Sequence, residues 1–346
     1  MSEEQYSGKP LAYLDQNILD AFLKAKDENK SFIEEFKSKV QVVYSDITLQ
    51  EIHLAGSEYS QFFLQLLQDI NAHHISIQID QNWKPTNTLR GSLKSPFHHY
   101  QIFLENRQYD EMLVQCKMNT FALYGGIKDF HQLADQQIIN QHNLLNDLEN
   151  QLNILKEIRN KDPIVLQFIK QKEEELDSLK CKIPTFENSV TFSTEKLKEA
   201  NCKLDAHLAF RKALGINIDK IKEINFPNVI EKIWKSIQLN NNILKNIEFH
   251  DFCQINFDPT AYERELTDFE KIHAIYSILN LIGYMPEKKV KNEAKFIASD
   301  RDISHVAYAC LCSYFITNDE RLLNKSRAIY EYLNIDTEVL EISVFK

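Results

Sequence analysis

Glycine and proline are scarce in this 346-residue chain, at seven and eight residues, so long irregular loops are few and helix should dominate. No apolar run reaches 18 residues, which leaves no membrane span to expect. A basic-then-apolar leader is also missing, and a cytoplasmic address is the expectation. Cys116, Cys181, Cys202, Cys253, Cys310 and Cys312 form no C-x-x-C pair, so reduced core cysteines are expected and a structural zinc site is not. What is present is ordinary for a globular protein, 43% hydrophobic and 26% charged, and long enough for two domains or one domain with a large insertion.

The net charge of −10 is uneven. Residues 1–80 hold six basic against thirteen acidic residues, and 81–289 hold 27 against 28. Residues 290–346 hold seven against nine. Acidity therefore collects at the two ends, while Gln81–Leu104 contains no acid at all.

The two ends share a grammar. Leu11–Leu14 is an apolar strand running into Asp15-Gln16-Asn17, after which Ile18, Leu19, Phe22 and Leu23 take a helical period. Strand Val40–Tyr44 and strand His74–Ile79 follow, separated by helices from Ile47 and from about Tyr59 to Ala72. Such β-α-β-α-β order predicts a parallel, right-handed sheet. Near the other end, Ser299 is expected to cap a helix carrying Ile303, Val306, Ala307, Cys310 and Leu311. A buried strand Ser313–Thr317, a helix from about Glu320 to Leu333 and a strand Glu338–Val344 complete the series.

Between them lies a different stretch. A basic and aromatic loop, 81–104, interleaves Trp83, Lys84, Arg90, Lys94 and Tyr100. A helical hairpin at about 128–182 follows, with Leu145, Leu148, Leu152 and Leu155 as its stripe. Further helices are expected over 194–283.

Four acids fall at strand or helix edges: Asp15, Glu51, Asp302 and Asp319. Taken singly, each has an ordinary explanation as a helix cap, a capping-box residue or a first-turn acid. Taken together, at the carboxyl edge of one parallel sheet, they would repel unless a hard divalent cation neutralised them. His305 is expected as a packed core histidine, and the pairs His73-His74 and His98-His99 as solvated or capping residues.

L-D-Q-N-I-L at Leu14–Leu19, S-D-I-T-L-Q-E-I at Ser45–Ile52, D-x-x-H-V-A at Asp302–Ala307 and F-I-T-N-D-E-R-L at Phe315–Leu322 resemble, in order, the four motifs of the PIN-domain nucleases. The resemblance covers residues 1–80 and 290–346. It implies a PIN-like three-layer α/β/α domain with a central parallel sheet, split by a mostly α-helical insertion, 81–289, which compact members lack. It further implies a metal-dependent endoribonuclease that holds Mg²⁺ or Mn²⁺ on Asp15, Glu51, Asp302 and Asp319. Asn17 and Thr317 match the polar supporting residues, and Asp300 is an additional acid beside Asp302.

RNA is the expected partner, gripped by Trp83, Lys84, Arg90, Lys94 and Tyr100, since an acidic site needs cations and aromatic faces elsewhere to hold a phosphate chain. The insertion would select RNA or receive a protein regulator, as in a toxin- or defence-type effector. Two alternatives use the same residues: a catalytically inactive PIN-like scaffold that binds RNA or protein, and a nuclease acting on structured DNA.

Overall fold

The computed structural model describes residues 8–24, 30–80, 85–127, 129–157, 163–201, 205–255, 265–287 and 289–345. They form two compact units, one of 1–107, 210–289 and 294–346, the other of 108–209 with 290–293. No helix among the described residues is long and apolar enough to cross a membrane.

The first unit is built on a six-stranded sheet in the order β4-β3-β2-β1-β5-β6. Its strands are β1 (Leu11–Leu14), β2 (Gln41–Tyr44), β3 (His73–Ile79), β4 (Pro85–Ser92), β5 (Tyr314–Ile316) and β6 (Glu338–Leu340). All neighbours are parallel except β3 and β4. The central strands read as continuous apolar runs because both faces are covered. Ala12, Leu14, Val42, Tyr44 and Ile316 face a core completed by α1 (Gln16–Lys24), α2 (Lys30–Lys39), α3 (Asp46–Leu54) and α4 (Ser57–Asp69). Tyr13, Val43, Ile75 and Phe315, one residue out of phase, face a second core.

That second core corrects the expected domain boundary. It is filled by α11 (Val229–Asn240) and α13 (Asp268–Ile282), with Ile230, Ile233, Trp234, Ile272, Tyr276 and Leu279 packed in the same cluster as the sheet residues. Residues 210–289 therefore complete the sheet unit and are not part of an insertion that runs to 289. Periodicity marks a helix as amphipathic, but it does not say which surface covers its apolar stripe.

Three element boundaries also differ. α14 runs from Glu293 to Ala309, starting well before a cap at Ser299 allows, because Phe296 continues the buried face. Ser299 is buried in mid-helix and Asn280 Nδ2 donates to its Oγ at 3.5 Å. The described part of the expected loop 81–104, residues 85–104, is mostly strand and helix. β4 pairs antiparallel with β3, Arg90 opposite Ser76, and α5 (Pro96–Cys116) starts on a proline, which suits a first helical turn. The last strand stops at Leu340 because β5 supplies only three residues to pair with, and a 3₁₀ turn, Ile342–Phe345, follows α15 (Glu320–Leu333) and β6.

The second unit contains α6 (Met118–Leu123) and a hairpin of α7 (Phe130–Glu157) and α8 (Pro163–Asn201), longer than the expected 128–182. Leu145 and Leu152 of α7 meet Ile169 and Leu176 of α8. The first of the helices expected over 194–283 is divided between the end of α8 and α9 (Ala206–Ala213). The remaining short helices are α10 (Ile218–Lys222) and α12 (Phe249–Phe252), both in the sheet unit. Cys253, Cys310 and Cys312 are buried thiols, whereas Cys181 on α8 is exposed.

Candidate metal centre

β1 delivers Asp15 to the carboxyl edge of the sheet. The Asp15 amide donates to Ile316 O at 3.0 Å, extending the ladder to β5 by one residue. Its Oδ1 accepts from the Gln16 amide at 2.7 Å. Its Oδ2 accepts from Thr317 Oγ1 at 2.7 Å and from Asn17 Nδ2. Asn17 Nδ2 also donates to Thr317 Oγ1 at 3.1 Å, and Asn17 Oδ1 accepts from the Asn318 amide at 3.1 Å. Asn17 and Thr317 thus clamp one carboxylate oxygen from two adjacent strand ends. Burial pushes the Asp15 carboxyl up, and His305 and Thr317 offset only part of that rise.

Glu51 comes from α3. The cap of that helix is Ser45, whose amide donates to Thr48 Oγ1 at 3.4 Å, so Glu51 has no capping role and stands a turn further on. Its Oε1 is 3.3 Å from Arg301 Nε and its Oε2 is 2.9 Å from His305 Nε2. Burial acts to raise Glu51, but His305 and Arg301 outweigh it and hold the carboxyl below its usual range. His305 moves the opposite way. Burial acts to lower it, and Glu51, Asp15 and Asp302 outweigh that and raise it. The two directions agree on a charged pair.

Asp302 has no such partner. It lies in mid-helix on α14, where first-turn stabilisation does not reach, and no hydrogen bond or ion pair to its carboxylate occurs among the described residues. Burial, then the charges of Asp15 and Glu287, push it well above the ordinary carboxylate range. Asp300, two residues earlier, points roughly 200° away around the helix.

Asp319 takes the ordinary capping role and does not join the cluster of Asp15, Glu51 and His305 donor atoms found among the described residues. It caps α15, its Oδ1 accepting from the amides of Arg321 at 2.8 Å and Leu322 at 3.1 Å. Its Oδ2 lies 3.4 Å from Arg321 Nη2. Arg321 also meets Glu287 at 3.2 Å, and Glu287 is 2.7 Å from Lys325 Nζ. Lys325 is fully buried, bonded to Asn280 Oδ1 at 2.6 Å and set over the Tyr276 ring at 4.6 Å. Burial pulls Lys325 down, and Glu287 and Asp302 restore only part of its basicity.

Sequence reasoning missed Arg301, Glu287, Arg321 and Lys325, and it took His305 for packing alone. One signal was available: the i,i+3 spacing of Asp302 and His305 puts both on one helix face. Donor atoms of Asp15, Glu51 and His305 all lie within 4.8 Å of one another. Hard carboxylate oxygens with one imidazole nitrogen suit a divalent cation. Asp302, raised by burial and by the charges of Asp15 and Glu287, is a carboxyl that a nearby cation would help to ionise, so the donor set is one that could hold a metal.

The residues expected to grip nucleic acid are dispersed. Arg90 and Lys94 are exposed, and β3 begins level with the end of β2, His74 opposite Tyr44, so the β3–β4 ribbon extends past the carboxyl edge. Tyr100 is an anchor, its hydroxyl 2.9 Å from His53 Nδ1 and its ring stacked near Phe103. Trp83 and Lys84 lie outside the described residues. The adjacent histidine pairs divide: His98 is exposed, as expected of a solvated residue, whereas His74 is buried, stacks on His99 with centroids 4.1 Å apart and lies 2.9 Å from Asp46 Oδ1.

No family model, no curated protein and no solved structure matches this chain.

Proposed function

We propose that the chain is a PIN-like, metal-dependent nuclease that hydrolyses RNA phosphodiester bonds. The observation that carries this reading is the cluster of Asp15, clamped by Asn17 and Thr317, with Glu51 and His305, next to which Asp302 feels the charge of Asp15 and has no hydrogen-bond or ion-pair partner among the described residues. Asp15 and Glu51 meet there with His305 from the far end of the chain, and the reading takes Asp15, Glu51, Asp302 and Asp319 as the acids of the four PIN-like motifs.

In this reading Asp15, Glu51, Asp302 and Asp319 hold Mg²⁺ or Mn²⁺. When bound, the cation lowers the pKa of a water and stabilises charge on the leaving oxygen. The chain's own contribution is positional. Asn17 and Thr317 keep one Asp15 oxygen turned away, which directs the other to the site. Arg301 does the same for Glu51. Asp319, fixed by two amides of its own helix, borders the site with Arg321. Arg90 on the ribbon and Lys94 just after it hold phosphates, and the helical unit receives a protein regulator, in a toxin- or defence-type setting in the cytoplasm.

One observation favours the second reading, an inactive scaffold: the Glu51 carboxylate is already met by Arg301 and His305. Incubation with single- and double-stranded RNA and DNA in Mg²⁺, Mn²⁺ or EDTA separates the readings. EDTA-sensitive RNA cleavage that disappears in Asp15→Asn and Asp319→Asn, both with wild-type circular dichroism, supports the nuclease. Full activity in either variant, or none on any substrate, overturns it. Preference for structured DNA redirects it to the third class.

A further inference from the structure

We propose that His305 is itself a metal ligand, its Nε2 joining oxygens of Asp15 and Glu51, so that the centre selects Mn²⁺ or another first-row transition ion over Mg²⁺. This rests on the metal-site reading above and goes beyond its all-carboxylate ligand set.

Three observations point the same way. First, His305 Nε2 does not face Glu51 alone, because Asp15 offers an oxygen within the same 4.8 Å span. Second, the far ring nitrogen is anchored. Nδ1 lies 2.9 Å from the Tyr13 hydroxyl, which lies 2.7 Å from Ser45 Oγ. Ligating histidines characteristically hold their second nitrogen in such a bond, which fixes the tautomer and the ring plane. Third, all three donors share this design. Thr317 and Asn17 bond Oδ2 of Asp15, Arg301 bonds Oε1 of Glu51 and Tyr13 bonds Nδ1 of His305.

β1 builds much of this centre at once, since Tyr13 and Asp15 are two residues apart on that strand and its extension. Tyr13 and His305 are both fully buried, with ring centroids 5.6 Å apart. The imidazole is therefore rigid when it meets the ion, and its ligation needs no rearrangement of the backbone.

Selectivity follows from donor chemistry. Mg²⁺ demands oxygen ligands and keeps its waters. Imidazole suits first-row transition ions, and Mn²⁺ also accepts carboxylates. Forming the metal–nitrogen bond displaces the Nε2 proton, which leaves to solvent.

The rival role for His305 is a cation that pairs with Glu51 and never contacts the ion. Pulsed electron paramagnetic resonance of the full chain loaded with Mn²⁺ distinguishes them. Ligation gives ¹⁴N modulation that changes to ¹⁵N modulation in protein grown with ¹⁵N-histidine. His305→Gln should still fold, bind Mn²⁺ more weakly and lose the nitrogen signal. Should His305→Gln not fold, Tyr13→Phe keeps the ring and removes only the anchor. It should weaken Mn²⁺ binding by about tenfold or more, with Mg²⁺ binding little changed. Bound Mn²⁺ without nitrogen modulation, a signal that survives His305→Gln, or unchanged Mn²⁺ affinity in Tyr13→Phe overturns the proposal. RNA cleavage with no nitrogen signal removes His305 as a ligand and spares the nuclease, whereas a nitrogen signal without cleavage does the reverse. Absence of any Mn²⁺ binding overturns both.

Discussion

Two lysine–glutamate pairs in this protein have nearly the same length and opposite surroundings. Lys180 of α8 meets Glu149 of α7 at 2.8 Å with side chains 40% and 45% exposed. Lys325 of α15 meets Glu287 at 2.7 Å with side chains 0% and 11% exposed. In the hairpin, water screens the pair and the long side chains lose freedom to hold it, so the two effects nearly cancel. Beside the candidate centre, neither charge has water to return to, and removing one strands the other. Contact distance alone therefore says little about importance. Asp302 is a third case in the same neighbourhood as Lys325, an acid pushed well up with no cation of its own.

The sharpest way to break this contrast is Lys325→Met. It leaves Glu287 with only the half-exposed Arg321 as a partner, and the expected loss in unfolding free energy is about 3 kcal/mol, measured by urea denaturation. A loss below about 1 kcal/mol would put the buried pair in the same class as the exposed ones.

Asp302→Asn should act in the other direction. A carboxyl whose folded-state pKa lies above its unfolded value costs stability once pH has risen through the unfolded value. Removing the charge should raise the melting temperature in EDTA by about 2 °C or more. Adding Mn²⁺ should then reverse the order, because wild type gains binding free energy that the variant lacks. A variant that is destabilised in EDTA would mean that Asp302 has a structural partner after all.

pH separates the pairs without mutation. His305 is raised in the fold, so its contribution is complete below its unfolded value of about 6.5 and is lost as pH rises through the higher folded value. Glu51 is lowered, so its contribution is present above about 4.3 and is lost only as pH falls through the lower folded value. Unfolding free energy in EDTA should decline on going from pH 6.5 to 8.5, and His305→Gln should flatten the decline. A wild-type profile that is flat over that range would rule out the charged His305–Glu51 pair.

How far the sequence could have led is clear from particular residues. Apolar runs ending in polar turns located β1, β2, β3 and β5 and put Asp15 at a strand end, whereas Asn17 and Thr317 were grouped with it only by the resemblance of their motifs. β4 was illegible because Thr86, Asn87, Thr88 and Arg90 form an exposed edge with no apolar alternation. The cover on the Tyr13 face was illegible too, since an amphipathic pattern at 229–240 or 268–282 names no partner surface. His305, Arg301 and Lys325 were hardest. Each owes its place to a residue distant in sequence, Tyr13 for His305, Glu51 for Arg301 and Glu287 for Lys325, and apart from the i,i+3 spacing of Asp302 and His305 nothing local marks them.

The smallest expected effect tests the exposed side of the comparison. Lys180→Ala removes a 2.8 Å ion pair yet should change unfolding free energy by less than about 0.5 kcal/mol. The hairpin is held by Leu145 and Leu152 against Ile169 and Leu176, and Leu152→Ala should cost several times more, about 2 kcal/mol or above. Two further exposed pairs, Lys156–Glu173 and His142–Glu187, bridge the same helices, so a larger loss on Lys180→Ala would mean that the three act as a network. High salt decides between the two outcomes, because a network of surface charges weakens measurably at 1 M salt, where screening extends only to about 3 Å, while a leucine seam does not.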